Sequence, residues 1–323
     1  MHPAGSEPSD ETAGRIIAAC GIAACRIDFL ASGVQSLVWV VETREQRYAL
    51  RIASPASPEP PSYESEFGIR QCLADLGGRV SRPVRTNRDV ESEFPFDWSL
   101  DEFVDGSPDP AGQLTAAACR DLGRTLALLH RLPVEGYGPL ENRRDRIVGQ
   151  SMSFRDGIRS RLERPWPFSG ESLDFHPIAS VAPDLLGKIR PLEPEMLALE
   201  GRPSRMSVIH SDLHAGQLAP SNGRLAALLD FGDALIGPPA WDIGSFAYFH
   251  GWEMSGQPSW RRMPGLNDVK KHGMRRGCLR HYSRPSSLCA RSPATNRGVC
   301  AERCDIYGRI CSPPIAQTTR IVG

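Results

Sequence analysis

The chain has 323 residues, 40% of them hydrophobic, and its 38 lysines and arginines are balanced by 38 aspartates and glutamates. A chain of this length can bury a large core and normally forms two lobes or domains. No apolar stretch approaches the roughly 20 residues that a transmembrane helix requires, so the sequence predicts a globular protein with no membrane partner.

Charge is distributed unevenly along the chain. Residues 254–323 carry 13 lysines and arginines against 3 aspartates and glutamates, which leaves residues 1–253 acidic. Basic segments can bind nucleic acid, but Tyr282 and Tyr307 do not form an arranged aromatic platform for bases, so we expect no nucleic-acid partner. Five of the nine cysteines also lie in this segment. Their spacing does not match a paired zinc motif.

The first elements predict a helix followed by antiparallel strands. The apolar run 16–24 follows an acidic segment and lacks a basic leader, so we interpret it as the N-terminal helix of a cytoplasmic protein. A loop at 31–36, which contains Gly33 and Gln35, has the small residues that a backbone needs to approach phosphate, although a plain turn is the alternative. The predicted strands around this loop are residues 26–30, 37–42 and 48–52.

The next elements alternate between helix and strand. Apolar spacing predicts helices over residues 63–76 and 113–131 and strands over residues 80–84 and 94–104. Residues 140–205 contain helical pieces interrupted by prolines. Three acidic residues there could meet a cationic ligand or could simply be solvated, and they are Asp156, Glu163 and Asp174.

Residues 208–244 contain the most informative pattern, two carboxylate-bearing loops joined by a turn and a strand. The first loop holds His210, Asp212 and Gln217, and the second, thirteen residues after Gln217, holds Asp230 followed by Phe and Gly. An apolar run before the second loop predicts a strand, and a Pro-Ser-Asn-Gly sequence predicts a hairpin turn. We therefore expect the two loops to lie side by side at adjacent strand ends.

This set of side chains suits phosphoryl transfer from a nucleotide. In protein kinases a catalytic Asp is followed five positions later by an amide that binds magnesium, and a later Asp-Phe-Gly supplies a second metal ligand. Asp212, Gln217 and Asp230 reproduce that order and spacing. Asp-Phe-Gly alone is a weak signal, but the His-x-Asp loop ahead of it makes a kinase-like site the favoured interpretation.

Three motifs together, His-Ser-Asp-Leu-His-Ala-Gly, Leu-Asp-Phe-Gly-Asp and Gly-Pro-Pro-Ala-Trp-Asp, resemble the aminoglycoside phosphotransferase family, small-molecule relatives of protein kinases. The resemblance implies an α+β fold with two lobes, an N-terminal antiparallel sheet lobe and a mainly helical C-terminal lobe, followed by an irregular basic tail. It also implies ATP and Mg²⁺ as cofactors. The acceptor would be a hydroxyl group of a small molecule, for example an aminoglycoside antibiotic.

The resemblance assigns the loop residues to roles. Asp212 would be the catalytic base, with His210 as a support of the catalytic loop, and Gln217 and Asp230 would hold magnesium. The family usually has Asn where this chain has Gln217 and Gly where it has Ser211. Both replacements keep the oxygen ligands. Asp242, in the third motif, would be a further support.

On the nucleotide side, Arg51 would take the place of the kinase lysine, because the first lysine of the chain is Lys188. Glu66 would pair with Arg51, and Glu64 is the rival candidate. Guanidinium can hold phosphate, although it is not equivalent to an ammonium group. The remaining nucleotide-binding residues implied are Gly33 and Gln35 around the phosphates and the backbone of Phe103 and Val104 at the adenine.

The resemblance covers about residues 26–250 and predicts three parts. These are an N-lobe at 1–104, a C-lobe at 105–253 and an atypical tail at 254–323. The tail lacks the apolar spacing of packed helices, so we hypothesise an out-of-frame or replaced ending, which translation of the gene in the other frames near codon 254 would test. The alternative function is then a catalytically impaired nucleotide-binding protein with an incomplete acceptor site.

Overall fold

The computed structural model describes residues 8–90, 94–106, 114–157, 166–167, 170–198 and 206–251. The helices are α1 Asp10–Ala19, α2 Tyr63–Asp75, α3 Ala116–Leu129, the short α4 Ile178–Val181, α5 Leu186–Ile189 and α6 Glu193–Leu197, and α7 Ala240–His250. The strands are β1 Arg26–Ser32, β2 Ser36–Glu42, β3 Arg47–Ala53, β4 Pro83–Thr86, β5 Trp98–Glu102, β6 Tyr137–Leu140, β7 Gly149–Ser151, β8 Ser207–Ile209, β9 Leu218–Ser221, β10 Arg224–Leu228 and β11 Leu235–Gly237.

The N-terminal part is a five-stranded antiparallel sheet in the order β1-β2-β3-β5-β4. Helix α1 packs on this sheet, where Ile16 and Ile17 join Trp39 and Trp98 in one buried cluster. Burial of such large side chains stabilises the layer by roughly 1.5–3 kcal/mol each. The indole N–H of Trp39 donates to the Asp10 carboxylate at 2.7 Å, which ties the first turn of α1 to β2.

Helix α2 connects the N-terminal sheet with the helical part. Its apolar residues Ile69 and Leu73 are fully buried and belong to the cluster formed by the leucines of α3. Its buried polar residues Glu66 and Arg70 make ion pairs with β3 and β5. The helix is therefore held from both sides.

A four-stranded antiparallel sheet, β7-β6-β11-β8, and the hairpin β9-β10 complete the described fold. Strand β8 pairs with β11, so the loop that leaves β8 and the loop that enters β11 lie at the same edge. The turn of the hairpin contains Asn222 and Gly223, both with positive φ, as a two-residue hairpin turn requires. The predicted neighbourhood of the two carboxylate loops is thus confirmed.

The α+β arrangement confirms the predicted fold class, while several element bounds differ. Helix α1 begins at Asp10, because Ser9 caps it and two acidic residues occupy its first turn. It ends at Ala19, five residues before the predicted end at residue 24. Leu76, the last residue of the helix predicted over 63–76, lies just after α2 and is 56% exposed. Within the described ranges no helix is long and apolar enough to cross a membrane.

Two of the three acidic residues of the Pro-rich region are described. Asp174 is exposed and pairs with Arg190 at 2.7 Å, and Asp156 is also exposed. Glu163 and the predicted tail at 254–323 lie outside the described residues.

Candidate active site

The first carboxylate loop is anchored by a buried aspartate of α7. Asp242 accepts hydrogen bonds from the backbone N–H of His210 at 3.1 Å and of Ser211 at 2.8 Å. Its Oδ2 also lies 2.8 Å from Nε2 of His130, the buried residue that caps the C-terminus of α3. Helices α3 and α7 thus fix the loop that follows β8 and carries Asp212.

Two residues of the loops adopt left-handed backbone conformations. Ser211 has φ 70° and Asp230 has φ 54°, in the region that non-glycine residues rarely occupy. The Ser211 hydroxyl donates to the carbonyl of Asp233 at 2.7 Å, and Asp230 Oδ1 accepts from the N–H of Gly232 at 3.2 Å. The first of these hydrogen bonds joins the two loops and the second is local, and together they offset the strain and set the direction of both loops.

The two loops also meet through a backbone hydrogen bond and through further side-chain contacts. The N–H of Leu229 donates to the carbonyl of Gln217 at 2.8 Å, and Nε2 of His210 donates to the carbonyl of Leu229 at 2.8 Å. The amide of Gln217 donates to Asp230 Oδ2 at 3.0 Å. Phe231 is buried, with its ring 4.9 Å from that of His210. Sequence-distant residues of the predicted site are therefore in direct contact.

The donor set at this junction suits magnesium. A carboxylate and an amide oxygen are hard ligands, and Mg²⁺ in nucleotide sites is commonly held by one or two such groups together with phosphate oxygens. No group of three or more His, Cys, Asp or Glu residues in the described part of the chain could hold a metal alone. The chemistry of the two side chains, one carboxylate and one amide, fits an ion whose other ligands are phosphate oxygens and water.

Asp212 contacts His214, whose Nε2 lies 3.4 Å from Asp212 Oδ2. Burial acts to raise the pKa of Asp212, but the hydrogen bond and charge of His214 outweigh it, so that pKa lies below the ordinary range of an aspartate. The same hydrogen bond raises the pKa of His214. Asp212 is therefore a carboxylate at neutral pH, as a group that orients a hydroxyl must be.

On the sheet side, Arg51 of β3 is held by two carboxylates. Its Nη1 lies 2.8 Å from Glu66 Oε2, and its Nε lies 3.2 Å from Asp101 Oδ2. Asp101 in turn pairs with Arg70 at 2.8 Å, so two cations and two anions balance in one buried group. Nη2 of Arg51 is buried without a hydrogen-bond partner among the described residues. Glu64, the rival of Glu66, pairs with Arg144 instead.

The loop between β1 and β2 reaches the second carboxylate loop. A Cβ atom added at Gly232 would lie 3.3 Å from Gln35 Oε1 and 3.8 Å from Glu66 Oε1. Gly33 closes the turn, with its N–H donating to the carbonyl of Ser36 at 2.8 Å. Gln35 of the β1-β2 loop and Glu66 of α2 therefore lie next to the Asp-Phe-Gly loop.

The segment after β5 uses part of its backbone internally. The N–H of Phe103 donates to the carbonyl of Arg47 at 3.0 Å, and the carbonyl of Val104 accepts from the N–H of Gly106 at 3.0 Å. The guanidinium of Arg47 also covers the Phe103 ring, 4.5 Å from its centre. The N–H of Phe103 is thus occupied, whereas the carbonyl of Val104 already accepts one hydrogen bond and has a second lone pair.

Sequence reasoning gave no role to two residues of this site. Asp101 was not singled out, because β5 also contains Ser99 and Glu102 and its pattern does not mark which carboxylate is buried with a partner. His214 lies two residues after Asp212 in the first motif, and its spacing alone does not show which side chain it contacts. Both act on residues that were predicted, Arg51 and Asp212.

Fold and site together define a kinase-like phosphotransferase, in which side chains from the N-terminal part of the chain lie next to two carboxylate-bearing loops. The sequence model described as the phosphotransferase enzyme family matches residues 26–265, and the chain belongs to that family. The match begins where the sequence resemblance was expected to begin but extends fifteen residues beyond its expected end at 250. No curated protein sequence matches the chain.

Solved structures share the fold at low sequence identity. A thermostable variant of aminoglycoside phosphotransferase APH(4)-Ia, in ternary complex with AMP-PNP and hygromycin B, is 16% identical with a TM-score of 0.58, over 94% of this chain and 97% of that chain. Spectinomycin phosphotransferase APH(9)-Ia, in complex with ADP and spectinomycin, is 15% identical with a TM-score of 0.53, over 95% of this chain and 94% of that chain.

Proposed function

We propose that this protein transfers the γ-phosphoryl group of ATP, with Mg²⁺, to a hydroxyl group of a small molecule. The observation that carries the proposal is the contact between the two loops, where Gln217 and Asp230 touch at 3.0 Å beside the carboxylate of Asp212. Phosphoryl transfer depends on positioning and electrostatic stabilisation more than on covalent chemistry, and this arrangement supplies both.

Each loop residue has a role in this proposal. Bound magnesium would neutralise charge on the phosphates, held by the carboxylate of Asp230 and the amide oxygen of Gln217, whose side chain has to turn from its present hydrogen bond. Asp212 accepts the proton of the acceptor hydroxyl and orients its oxygen for attack. The new bond joins that oxygen to phosphorus, and ADP leaves.

The nucleotide is held from the sheet side. Arg51 would meet a phosphate, which its Nη2, without a hydrogen-bond partner among the described residues, supports, and Glu66 would fix its orientation. Gly33 and Gln35 cover the phosphates from the β1-β2 loop. At the adenine, the Phe103 carbonyl and the Val104 N–H are the groups proposed to make contact, because the Phe103 N–H is engaged and the Val104 carbonyl already accepts one hydrogen bond.

The acceptor is proposed to be cationic or rich in hydroxyl groups, as an aminoglycoside is. Asp212, Asp230 and Asp233 act together to make the two loops acidic, and their charges contribute to the raised pKa of His214. An acidic site attracts a polycation and raises its association rate. Solved relatives of the fold bind hygromycin B and spectinomycin, which supports an antibiotic acceptor and a role in resistance. A cytoplasmic location, where ATP is available, remains a prediction.

A transfer assay tests the proposal. Purified protein, ATP and Mg²⁺ are incubated with an aminoglycoside, a macrolide or a simple sugar, and each acceptor is weighed by mass spectrometry for one added phosphoryl group. We expect phosphorylation of at least one hydroxyl acceptor, with ADP formed in equal amount. Nucleotide binding with no transfer to any acceptor would contradict the proposal and favour a catalytically impaired nucleotide-binding protein.

A further inference from the structure

The N-terminus of α2 is capped by a residue from a distant part of the chain. The first N–H groups of a helix have no partner within the helix, and the residue at the N-cap normally supplies one. Here Ser62 makes no side-chain cap. The N–H groups of Glu64 and Ser65 instead donate to Oδ1 of Asn142, at 2.9 and 3.4 Å.

Arg144, two residues after Asn142, binds the same end of α2. Its Nε donates to Glu64 Oε2 at 3.0 Å, and its Nη2 also donates to the hydroxyl of Thr86 at 2.7 Å. Both carboxylate oxygens of Asp89 accept from this guanidinium, at 2.7 and 3.0 Å. The group lies over the Phe67 ring, 3.8 Å from its centre. One side chain thus joins α2 to β4 and to the turn after it.

The backbone of the 142–144 segment also fits directly against α2. A Cβ atom added at Gly68 would lie 2.5 Å from the carbonyl oxygen of Arg144, which is closer than real contacts allow. Glycine is required at this position because the helix and the segment approach each other so closely. The segment therefore holds α2 by a cap, by a multidentate arginine and by backbone contact.

Glu66 lies inside the stretch of α2 that these contacts fix. It follows Glu64 and Ser65 and precedes Gly68, and it meets Arg51 at 2.8 Å. We propose that Asn142 and Arg144 are positioning residues of the nucleotide site: they hold the first half of α2 so that Glu66 orients Arg51 toward the nucleotide phosphates. The effect on nucleotide binding rests on the proposed function, whereas the stabilisation of α2 by Asn142 and Arg144 follows from the contacts alone.

The chain provides a matched control for a test. Arg143 lies between the two positioning residues, but its guanidinium binds Asp145 at 2.8 Å on the surface and does not contact α2. The variants compared are Arg144→Ala and Arg143→Ala, with Arg144→Lys as the conservative replacement. Lysine keeps the charge but loses the planar fork, so it should restore only part of the effect.

Hydrogen exchange without any nucleotide tests whether Arg144 stabilises α2. In Arg144→Ala we expect the amides of residues 63–70 to exchange about tenfold faster than in the parent, because local opening becomes easier. Arg143→Ala should exchange like the parent. Equal exchange in both variants and the parent would overturn the inference. If Arg144→Ala does not fold, Asn142→Ala removes only the cap and is measured in the same way, with the same two outcomes.

Nucleotide affinity tests the link to Glu66. We expect Arg144→Ala to raise the Kd of a fluorescent ATP analogue about five- to tenfold. In a protein that already carries Glu66→Gln, the same substitution should raise the Kd less than about twofold, because the effects of substitutions at residues that act through one another are not additive. An unchanged Kd, or an equal change in both backgrounds, would overturn the positioning role. A parent protein that binds no analogue would overturn the proposed function, and the exchange data would still decide whether Arg144 stabilises α2.

Discussion

At the scale of single residues, the proposed transfer step depends on the carboxylate of Asp212. We predict that Asp212→Asn lowers kcat by about 10²- to 10⁴-fold, the usual range for a positioned general base. The Kd of the ATP analogue should stay nearly unchanged, because the contacts on the nucleotide side are made by other residues. Steady-state kinetics and nucleotide titration of the same preparation measure both quantities.

The control for this variant is Asp184→Asn, which removes an exposed carboxylate far along the chain from the two loops. It should show the kcat of the parent. If Asp212→Asn is folded and equally fast, Asp212 has no part in the transfer step.

A second prediction at this scale concerns the metal ligands. Asp230→Ala should abolish magnesium-dependent binding of the ATP analogue, because it removes the carboxylate at the loop junction. Gln217→Asn should remain active, since it keeps an amide oxygen, whereas Gln217→Ala should not. Nucleotide titration with and without Mg²⁺ measures the dependence. A Gln217→Ala protein with higher activity than Gln217→Asn would show that the amide is not a metal ligand.

The limits of sequence reasoning are visible in the residues around Arg51. The spacing of α2 suggested Glu66 and Glu64 as rival partners, and only the packing separates them, because Glu64 is taken by Arg144. Asp101 reaches Arg51 only because β5 lies next to β3 in the sheet. Sheet order is a long-range property, so a local pattern cannot give it. The roles proposed for these residues remain predictions.

At the scale of elements, the hairpin β9-β10 that joins the two loops is tied to α3 by one buried aspartate. Asp121 Oδ2 lies 2.6 Å from Arg224 Nε, and Oδ1 lies 2.7 Å from Arg224 Nη2. The N–H of Leu225 also points to Asp121 Oδ2 at 3.4 Å. The bonds from Arg224 lower the pKa of Asp121 below its ordinary value.

This link predicts a pH-dependent contribution to stability. A carboxylate whose pKa is lowered in the folded state stabilises it above the unfolded pKa of roughly 4, and the contribution is lost as pH falls through the folded pKa. We expect Asp121→Asn to lower the free energy of unfolding by about 1 kcal/mol near pH 7, a low value because Arg224 is half exposed. Urea unfolding from about pH 7 down to about pH 3 measures how the difference shrinks.

The control for the pH series is Asp145→Asn. The pKa of Asp145 is also lowered by an arginine, Arg143, but both side chains are on the surface. The free energy of unfolding of Asp145→Asn should therefore differ little from that of the parent at any pH. If the difference in unfolding free energy between the parent and Asp121→Asn stays constant down to the lowest pH, the charge of Asp121 does not contribute to stability.

Elements with strong local patterns were predicted from the sequence, and elements set by distant contacts were not. The strands at 37–42 and 48–52, and the helix that became α2, follow from apolar alternation and spacing. The start of α1 was missed because the prediction followed the apolar run rather than the Ser9 cap. The cap of α2 could not be foreseen at all, since Asn142 lies 78 residues from Glu64.

At the scale of the whole molecule, the family match and the charge distribution divide the chain at different places. The match ends at residue 265, while the change from acidic to basic composition is already clear from residue 254. Residues 266–323 hold 11 lysines and arginines against 3 aspartates and glutamates. All contacts proposed for the nucleotide lie between Gly33 and Asp230, so this basic segment is not needed to form them.

We therefore predict that a chain ending at Gly265 binds the ATP analogue with a Kd within about twofold of that of the full chain at about 0.15 M salt. At this salt concentration the Debye length is roughly 8 Å, so distant charges are screened. At about 0.01 M salt the full chain should bind the anionic nucleotide more tightly than the shortened chain, because the basic segment then attracts it over longer distances. Titrations of both proteins at the two salt concentrations measure this difference. A shortened chain that is folded by circular dichroism yet binds no analogue at either concentration would show that residues 266–323 complete the nucleotide site.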